Sequence, residues 1–337
     1  MSAAEEVVTE GQAVEAVPKR AMTLGTGTSL MVLVLLLVIP LLVKNFIIFQ
    51  MTMLLIYGVA VLALNILTGG SGQFSLGQSA FYAVGAYTSA ILMEHFNVNY
   101  ALTLPIAGVI CFAFGFLFGQ PALRLSGVYL ALATFALATA MPQLLKLGYF
   151  EYWTGGVQGL VVTKPDAPFG LPMSQDMWLY YFTLAVTIAI YVGSVNLLRS
   201  RSGRAFMSIR DNEIAASSMG VNVALYKTLA FGVSAGITGV AGALGAIAVQ
   251  FVAPDSYTIT LAISLFLGMV VGGVGWLPGS FVGSAFIIFV PNIAESVSKG
   301  LSGAVFGVLL FLVIFLVPHG ARQIAIVGQQ LAGRFRR

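Results

Sequence analysis

Three groups of residues carry the chemical potential of this chain. The first is the stretch from Arg199 to Lys227, RSRSGRAFMSIRDNEIAASSMGVNVALYK, which packs Arg199, Arg201, Arg204 and Arg210 into its first half. Its second half reads as a short helix: Asp211 and Asn212 are good N-caps, Glu213 suits a helix N-terminus, and Gly220 can supply the left-handed residue that ends it. Ile214, Ala215, Ser218 and Met219 then share one face. A small helix with an apolar face can dock into a groove on another protein, and a basic loop can equally serve only to orient a membrane chain. Spacing alone leaves both readings open.

The second group is neutral. Asn65, Thr68, Gly69, Gly70, Ser71, Gly72, Gln73, Ser75, Gly77, Gln78 and Ser79 put amides, hydroxyls and bare backbone inside an apolar region. Backbone without a helical partner is tolerated at membrane depth only when it is buried in protein or lines a wet cavity. As a cluster these residues, with Gly69, Gly70, Gln73, Ser75 and Gln78 foremost, are candidates for lining a solute path; singly, each also suits helix packing. Thr134, with Ser126, Thr139 and Ser264, is a weaker candidate for the path. The third group does little: Cys111 is the only cysteine, which excludes an intrachain disulfide, and it reads as a small apolar side chain. His95 and His319 lie far apart, which argues against a shared metal site. No cofactor and no metal is expected.

The elements that must position these groups are membrane spans. Of 337 residues, 58% are hydrophobic and 8% charged, against about 25% charged in an average soluble domain. Apolar runs recur near 29–44, 46–68, 72–93, 100–119, 127–146, 177–198, 228–250, 257–274, 279–294 and 303–318, predicting an all-α integral membrane bundle of about ten helices. Residues 1–28 read as a disordered cytoplasmic tail, 29–320 as the membrane domain and 321–337 as a basic cytoplasmic tail. The glycine-rich turns at 69–77 and 272–283 predict short or unwound spans. With both termini cytoplasmic, every arginine falls on the cytoplasmic side, and only Lys44, Lys146, Lys164 and Lys299 among the basic residues fall outside. The external segment 147–176 is expected to form a structured cap.

No Asp, Glu, Lys, Arg or His falls well inside any of these spans. Proton-coupled pumps, voltage sensors and intramembrane hydrolases need such groups, so those classes are disfavoured. The chain has no GxxxxGK[ST] phosphate loop, so uphill transport would need energy from a partner. The blocks GGSGQFSLGQSAF at 69–81 and GGVGWLPGSFVGSAF at 272–286 are similar and suggest an internal repeat.

Taken together, NILTGGSGQFSLGQSAFYAVGAYTSAIL at 65–92, RLSGVYLALATFA at 124–136, WTGGVQGL at 153–160, RSGRAFMSIRDNEIAASSMGVNVALYK at 201–227, APDSY at 253–257 and the 272–286 block resemble the permease subunits of bacterial branched-chain amino-acid ABC importers of the LivM kind. The similarity covers about 60–320. It implies a half-channel in the cell inner membrane that pairs with a homologous second permease, two cytoplasmic ATP-binding subunits and a periplasmic solute-binding protein. It also implies that Arg204, Arg210, Asp211, Asn212, Glu213, Ala215, Ala216 and Gly220 couple to the ATPase. Such a subunit is not itself an enzyme. His319 and Trp153 depart from the family pattern and touch only substrate preference. Branched-chain amino acids are the first substrate class implied; urea, short amides or other small carboxylates are alternatives. The rival from another class is a self-contained facilitator for small neutral solutes, for which an arginine-rich docking helix has no use.

Overall fold

The computed structural model describes residues 34–122, 127–167, 173–297 and 307. The predicted tails at 1–28 and 321–337 and the span at 303–318, apart from Gly307, lie outside the described residues, as do Arg124 and Ser126. What is described is an all-α bundle with two two-residue strands. Its helices are α1 (Asn45–Asn65), α2 (Gln78–Phe96), α3 (Tyr100–Ala122), α4 (Val128–Leu145), the short α5 (Glu151–Thr154), α6 (Gln175–Arg199), α7 (Arg201–Asp211), α8 (Glu213–Ser218), α9 (Val223–Val249), α10 (Ile259–Gly272) and α11 (Gly279–Val297). Among the described residues, six helical segments are long and apolar enough to cross a membrane, and Gly279–Ile293 is a shorter apolar helix. The chain is a multi-pass membrane protein.

Helix α9 is the axis of the bundle. Its sequence, VALYKTLAFGVSAGITGVAGALGAIAV, places a small residue at almost every position that meets a neighbour, and most of its length is buried. Without a hydrophobic force between helices in lipid, close backbone approach is what holds spans together. Glycines supply that approach here. A Cβ added at Gly85 of α2 would collide with the Gly239 carbonyl, and one at Gly242 would collide with the Tyr82 carbonyl. On the other side of α9, Gly115 of α3 meets Ala235, and Gly239 rests against Cys111. Cys111 is buried there as a small apolar residue.

The two ends of the bundle differ. One end gathers the arginine-rich segment and the glycine turns near 70 and 275. The other carries the short connections around 97, 146–167 and 250–257. There β1 (Leu160–Val161) pairs antiparallel with β2 (Phe251–Val252), Leu160 opposite Val252. Lys146 forms an ion pair with Asp255 at 2.5 Å, and Lys164 pairs with Asp176. The described part of 147–176 is thus folded against residues 250–257, turned by Gly155, Gly156 and Gly159 at positive φ. Gly159 also lies too close to the Val252 carbonyl for any side chain.

The glycine turns are unwound, as their composition predicts. Helix α1 ends in a π turn over Ile66–Gly70, and residues 72–77 have no helical structure. The predicted span at 72–93 therefore starts as a helix only at Gln78. Likewise α10 stops at Gly272, Gly273 takes φ 101°, and helix resumes at Gly279.

The α2/α9 crossing leaves no room for added atoms. Substituting Gly242→Val is expected to destabilise the protein by about 1–3 kcal/mol or more through overpacking. The check is a lowered thermal unfolding midpoint of the detergent-solubilised protein, beside Gly148→Ala, where nothing lies within 4 Å of the added Cβ.

Candidate functional site

The unwound segment after α1 is assembled from its own polar side chains and from three other parts of the chain. The Thr68 hydroxyl donates to the Gln73 carbonyl at 3.0 Å, and the Ser71 hydroxyl donates to the Leu67 carbonyl at 2.7 Å. The Leu76 amide donates to the Thr134 hydroxyl at 2.9 Å, and the Gly77 amide to the Ser75 hydroxyl at 3.2 Å. Thr134, fully buried on α4, is thus a partner of the break.

The two similar glycine blocks meet. Asn65, at the last position of α1 and 1% exposed, accepts from the Gly275 amide at 2.6 Å. Its amide group reaches the Gly273 and Trp276 carbonyls and the Ser280 hydroxyl at 3.3, 3.1 and 3.3 Å. A Cβ at Gly69 would lie 2.5 Å from the Gly275 nitrogen. One asparagine therefore clamps the second block onto the first.

The arginine-rich segment docks on the same place. Two helices form where one was expected. Helix α7 starts at Ser200, whose hydroxyl accepts from the Gly203 amide, and buries Ala205, Phe206 and Ile209 on one face. Helix α8 is the predicted one: the Asn212 side chain accepts from the Ala215 amide at 3.0 Å, and Gly220 takes φ 81° just beyond its end. Arg210 grips the Asp211 carboxylate with two of its nitrogens, at 3.0 and 2.9 Å, and donates with the third to the Gly69 carbonyl at 2.8 Å. A guanidinium is suited to this fork, because its donors are fixed in one plane. Glu213 pairs with Lys227 at 2.7 Å, and the Lys227 carbonyl accepts from Gln73 at 3.1 Å. The predicted docking residues and the predicted path residues are thus joined at two points.

Placement differs between the candidates. Arg204, Arg210, Asp211, Asn212, Glu213, Ala215 and Gly220 are exposed, while Ala216 is buried. Ile214 and Met219 are 81% and 85% exposed, a bare apolar pair on α8. Gly69, Gly70, Gln73, Ser75 and Gln78 are buried. Gln78 donates to the Ser234 hydroxyl at 3.0 Å and accepts from the Thr238 hydroxyl at 2.6 Å, both on α9. In the extended stretch, alternate residues face opposite ways: Gln73 and Ser75 turn into the chain, while Gly72 and Phe74 are exposed. Asn65 as a clamp, and Ser234 and Thr238 as partners, were not identifiable from spacing. Only the similarity of the two glycine blocks hinted at the first.

The chain matches the family model described as "Branched-chain amino acid transport system / permease component" over residues 46–317. It is 32% identical over 299 residues to the high-affinity branched-chain amino acid transport system permease protein LivM of Salmonella typhimurium, covering 80% of this chain and 68% of that protein. It is 27% identical over 210 residues to the autoinducer 2 import system permease protein LsrC of an Enterobacter species, covering 58% and 57%. It is 23% identical over 265 residues to a probable branched-chain amino acid transport permease protein LivH of Methanocaldococcus jannaschii, covering 72% and 81%. No solved structure matches it significantly.

Substituting Asn65→Leu removes every bond of the clamp and leaves the Gly275 amide without its partner. It is expected to cost at least ~2 kcal/mol, read as a lower unfolding midpoint. Phe74→Leu, on the exposed side of the same break, is expected to leave the midpoint nearly unchanged.

Proposed function

This chain belongs to the family of permease components of branched-chain amino acid transport systems, and we propose that it is the membrane half-channel of an ATP-driven importer for branched-chain amino acids. The solute is delivered by a periplasmic binding protein, two cytoplasmic ATP-binding subunits supply the energy, and a homologous permease completes the path. The protein is not itself an enzyme. It sits in the bacterial inner membrane with both termini cytoplasmic and about ten spans.

The single observation that carries the coupling role is the α7–α8 unit. It stands at one end of the bundle with its basic residues outward and with Ile214 and Met219 uncovered. A charged loop that only oriented the chain would need neither a capped helix nor an exposed apolar pair. The unit is also fastened to the break through Arg210 and through Glu213, Lys227 and Gln73. A partner that shifts α7 and α8 therefore pulls on residues 69–73. Arg204, Arg210, Asp211, Asn212, Glu213, Ala215, Ala216 and Gly220 are assigned to this coupling unit. Gly69, Gly70, Gln73, Ser75, Gln78 and Thr134 are assigned to the wall of the path that it moves.

Because Ile214 and Met219 touch so little of the chain itself, Ile214→Glu with Met219→Glu is expected to leave folding intact. Copurification of an ATP-binding subunit and uptake of leucine are both expected to fall below a tenth of wild type. A wild-type chain that leaves the membrane without any ATP-binding subunit, yet passes leucine, would be a facilitator and would overturn this reading.

A further inference from the structure

Helix α2 begins deep inside the bundle. Its first residue, Gln78, is bonded to Ser234 and Thr238 of α9, which lie about 17 and 23 Å along a helix about 40 Å long at 1.5 Å per residue. The N-terminus of a 19-residue helix is therefore held half-way along the longest span. Helix N-termini carry unpaired amides and the positive end of the helix dipole.

This end is uncapped. The N-cap is Gly77, with no side-chain bond to the helix. The Ala80 amide turns back to the Gly77 carbonyl at 3.0 Å, while the Gln78 and Ser79 amides have no partner among the described residues. An independent observation points the same way. Ser79, the second residue of the helix, is 0% exposed, and its hydroxyl has no hydrogen-bond partner. Helix side chains lean toward the N-terminus, which puts the Ser79 side chain on the side of the unfilled amides. Other buried serines turn the hydroxyl to a carbonyl one turn back, as Ser71 and Ser194 do. At the second position of a helix whose preceding chain is unwound, Ser79 has no such carbonyl in place.

We propose that the N-terminus of α2, with the Ser79 hydroxyl, is a transit site for the carboxylate of the solute, an inference that rests on the importer reading above. It supplies partial positive charge where residues 78–93 of α2 and 228–249 of α9 carry no Asp, Glu, Lys, Arg or His. A carboxylate accepts the hydroxyl and amide hydrogens that are otherwise unpaired; urea and short amides carry no negative charge to match the dipole. The site therefore selects a carboxylate-bearing solute from among the small solutes considered. In the arrangement described here it is closed, with Gln78 and Ser79 buried. The segment that leads to it, residues 69–77, is tied to α7 through Gly69 and Arg210 and to α8 through Gln73, Lys227 and Glu213, so partner movement at the basic end is placed to open it.

The test uses membrane vesicles containing the whole importer, assayed for uptake of radiolabelled leucine. Ser79→Ala removes a hydroxyl that bonds to nothing in the protein, so folded yield and unfolding midpoint are expected to stay at or above wild type. Uptake is expected to fall about tenfold, the loss of one hydrogen bond to a charged group. Ser79→Asp fixes a carboxylate at the site and is expected to abolish uptake, whereas the isosteric Ser79→Asn retains it near the Ser79→Ala level. Wild-type uptake in Ser79→Ala, loss of folded protein in that variant, or equal uptake in the Asp and Asn variants would each overturn the site. A wild-type importer that carries no branched-chain amino acid but takes up another carboxylate, with the same pattern at Ser79, would overturn the substrate reading and keep the site.

Discussion

Backbone polar groups that leave a helix inside a membrane must find partners within the protein, because lipid offers none. The organisation around residues 66–78 follows from that constraint. Once the chain unwinds after α1, its backbone amides and carbonyls draw in Thr134 from α4 and Arg210 from α7, and the Gln73 side chain reaches the Lys227 carbonyl of α9. Each of these contacts fixes the position of a helix that is distant in sequence. Asn65 extends the same logic to the second unwound turn, using four polar groups of residues 273–280. The break is thus the point at which the separate parts of the bundle are registered against one another.

A break of this kind is stable only if its surroundings are rigid, and α9 supplies the rigidity. Small residues let α2 and α3 approach it to backbone contact, so neither helix can slide without steric overlap at Gly85, Gly239 or Gly242. Large side chains would have given a looser, more adjustable interface. The consequence is a division of labour between the helices. The α2–α3–α9 core resists deformation, while the segment from Ile66 to Gly77, held by hydrogen bonds of modest individual strength, is where the chain can change shape.

The sequence disclosed the spans and the unwinding because both are written in local composition. Apolar runs of span length mark the helices, and Gly69, Gly70, Gly72 and Gly77 among Ser and Gln mark the break. Helix α8 was legible from Asn212 and Gly220 for the same reason. Helix α7 was not, since four arginines in the stretch masked an apolar face made only of Ala205, Phe206 and Ile209. The pairing of the two glycine blocks depends on Asn65 meeting residues more than 200 positions away, which no local pattern encodes. The polar candidates were also too uniform in sequence to sort. A buried glutamine needs partners whether it packs or lines a path, and only the coordinates separate Gln78, bonded on both sides of its amide, from Ser79, bonded to nothing.

The absence of Asp, Glu, Lys, Arg and His from the interiors of the described spans then acquires a physical sense. A fixed charge in the path would bind a zwitterionic solute strongly at one end and hold it, and a transit site must release what it receives. A helix terminus offers about half a unit charge and can be weakened simply by rotating or re-closing the first turn. In this chain the first turn of α2 is continuous with residues 69–77, where Gly69 accepts from Arg210 and Gln73 donates to the Lys227 carbonyl. A displacement of the α7–α8 unit by a partner would therefore change the orientation of the amides that face the solute. Affinity and movement would be governed by one segment, with no titratable group required.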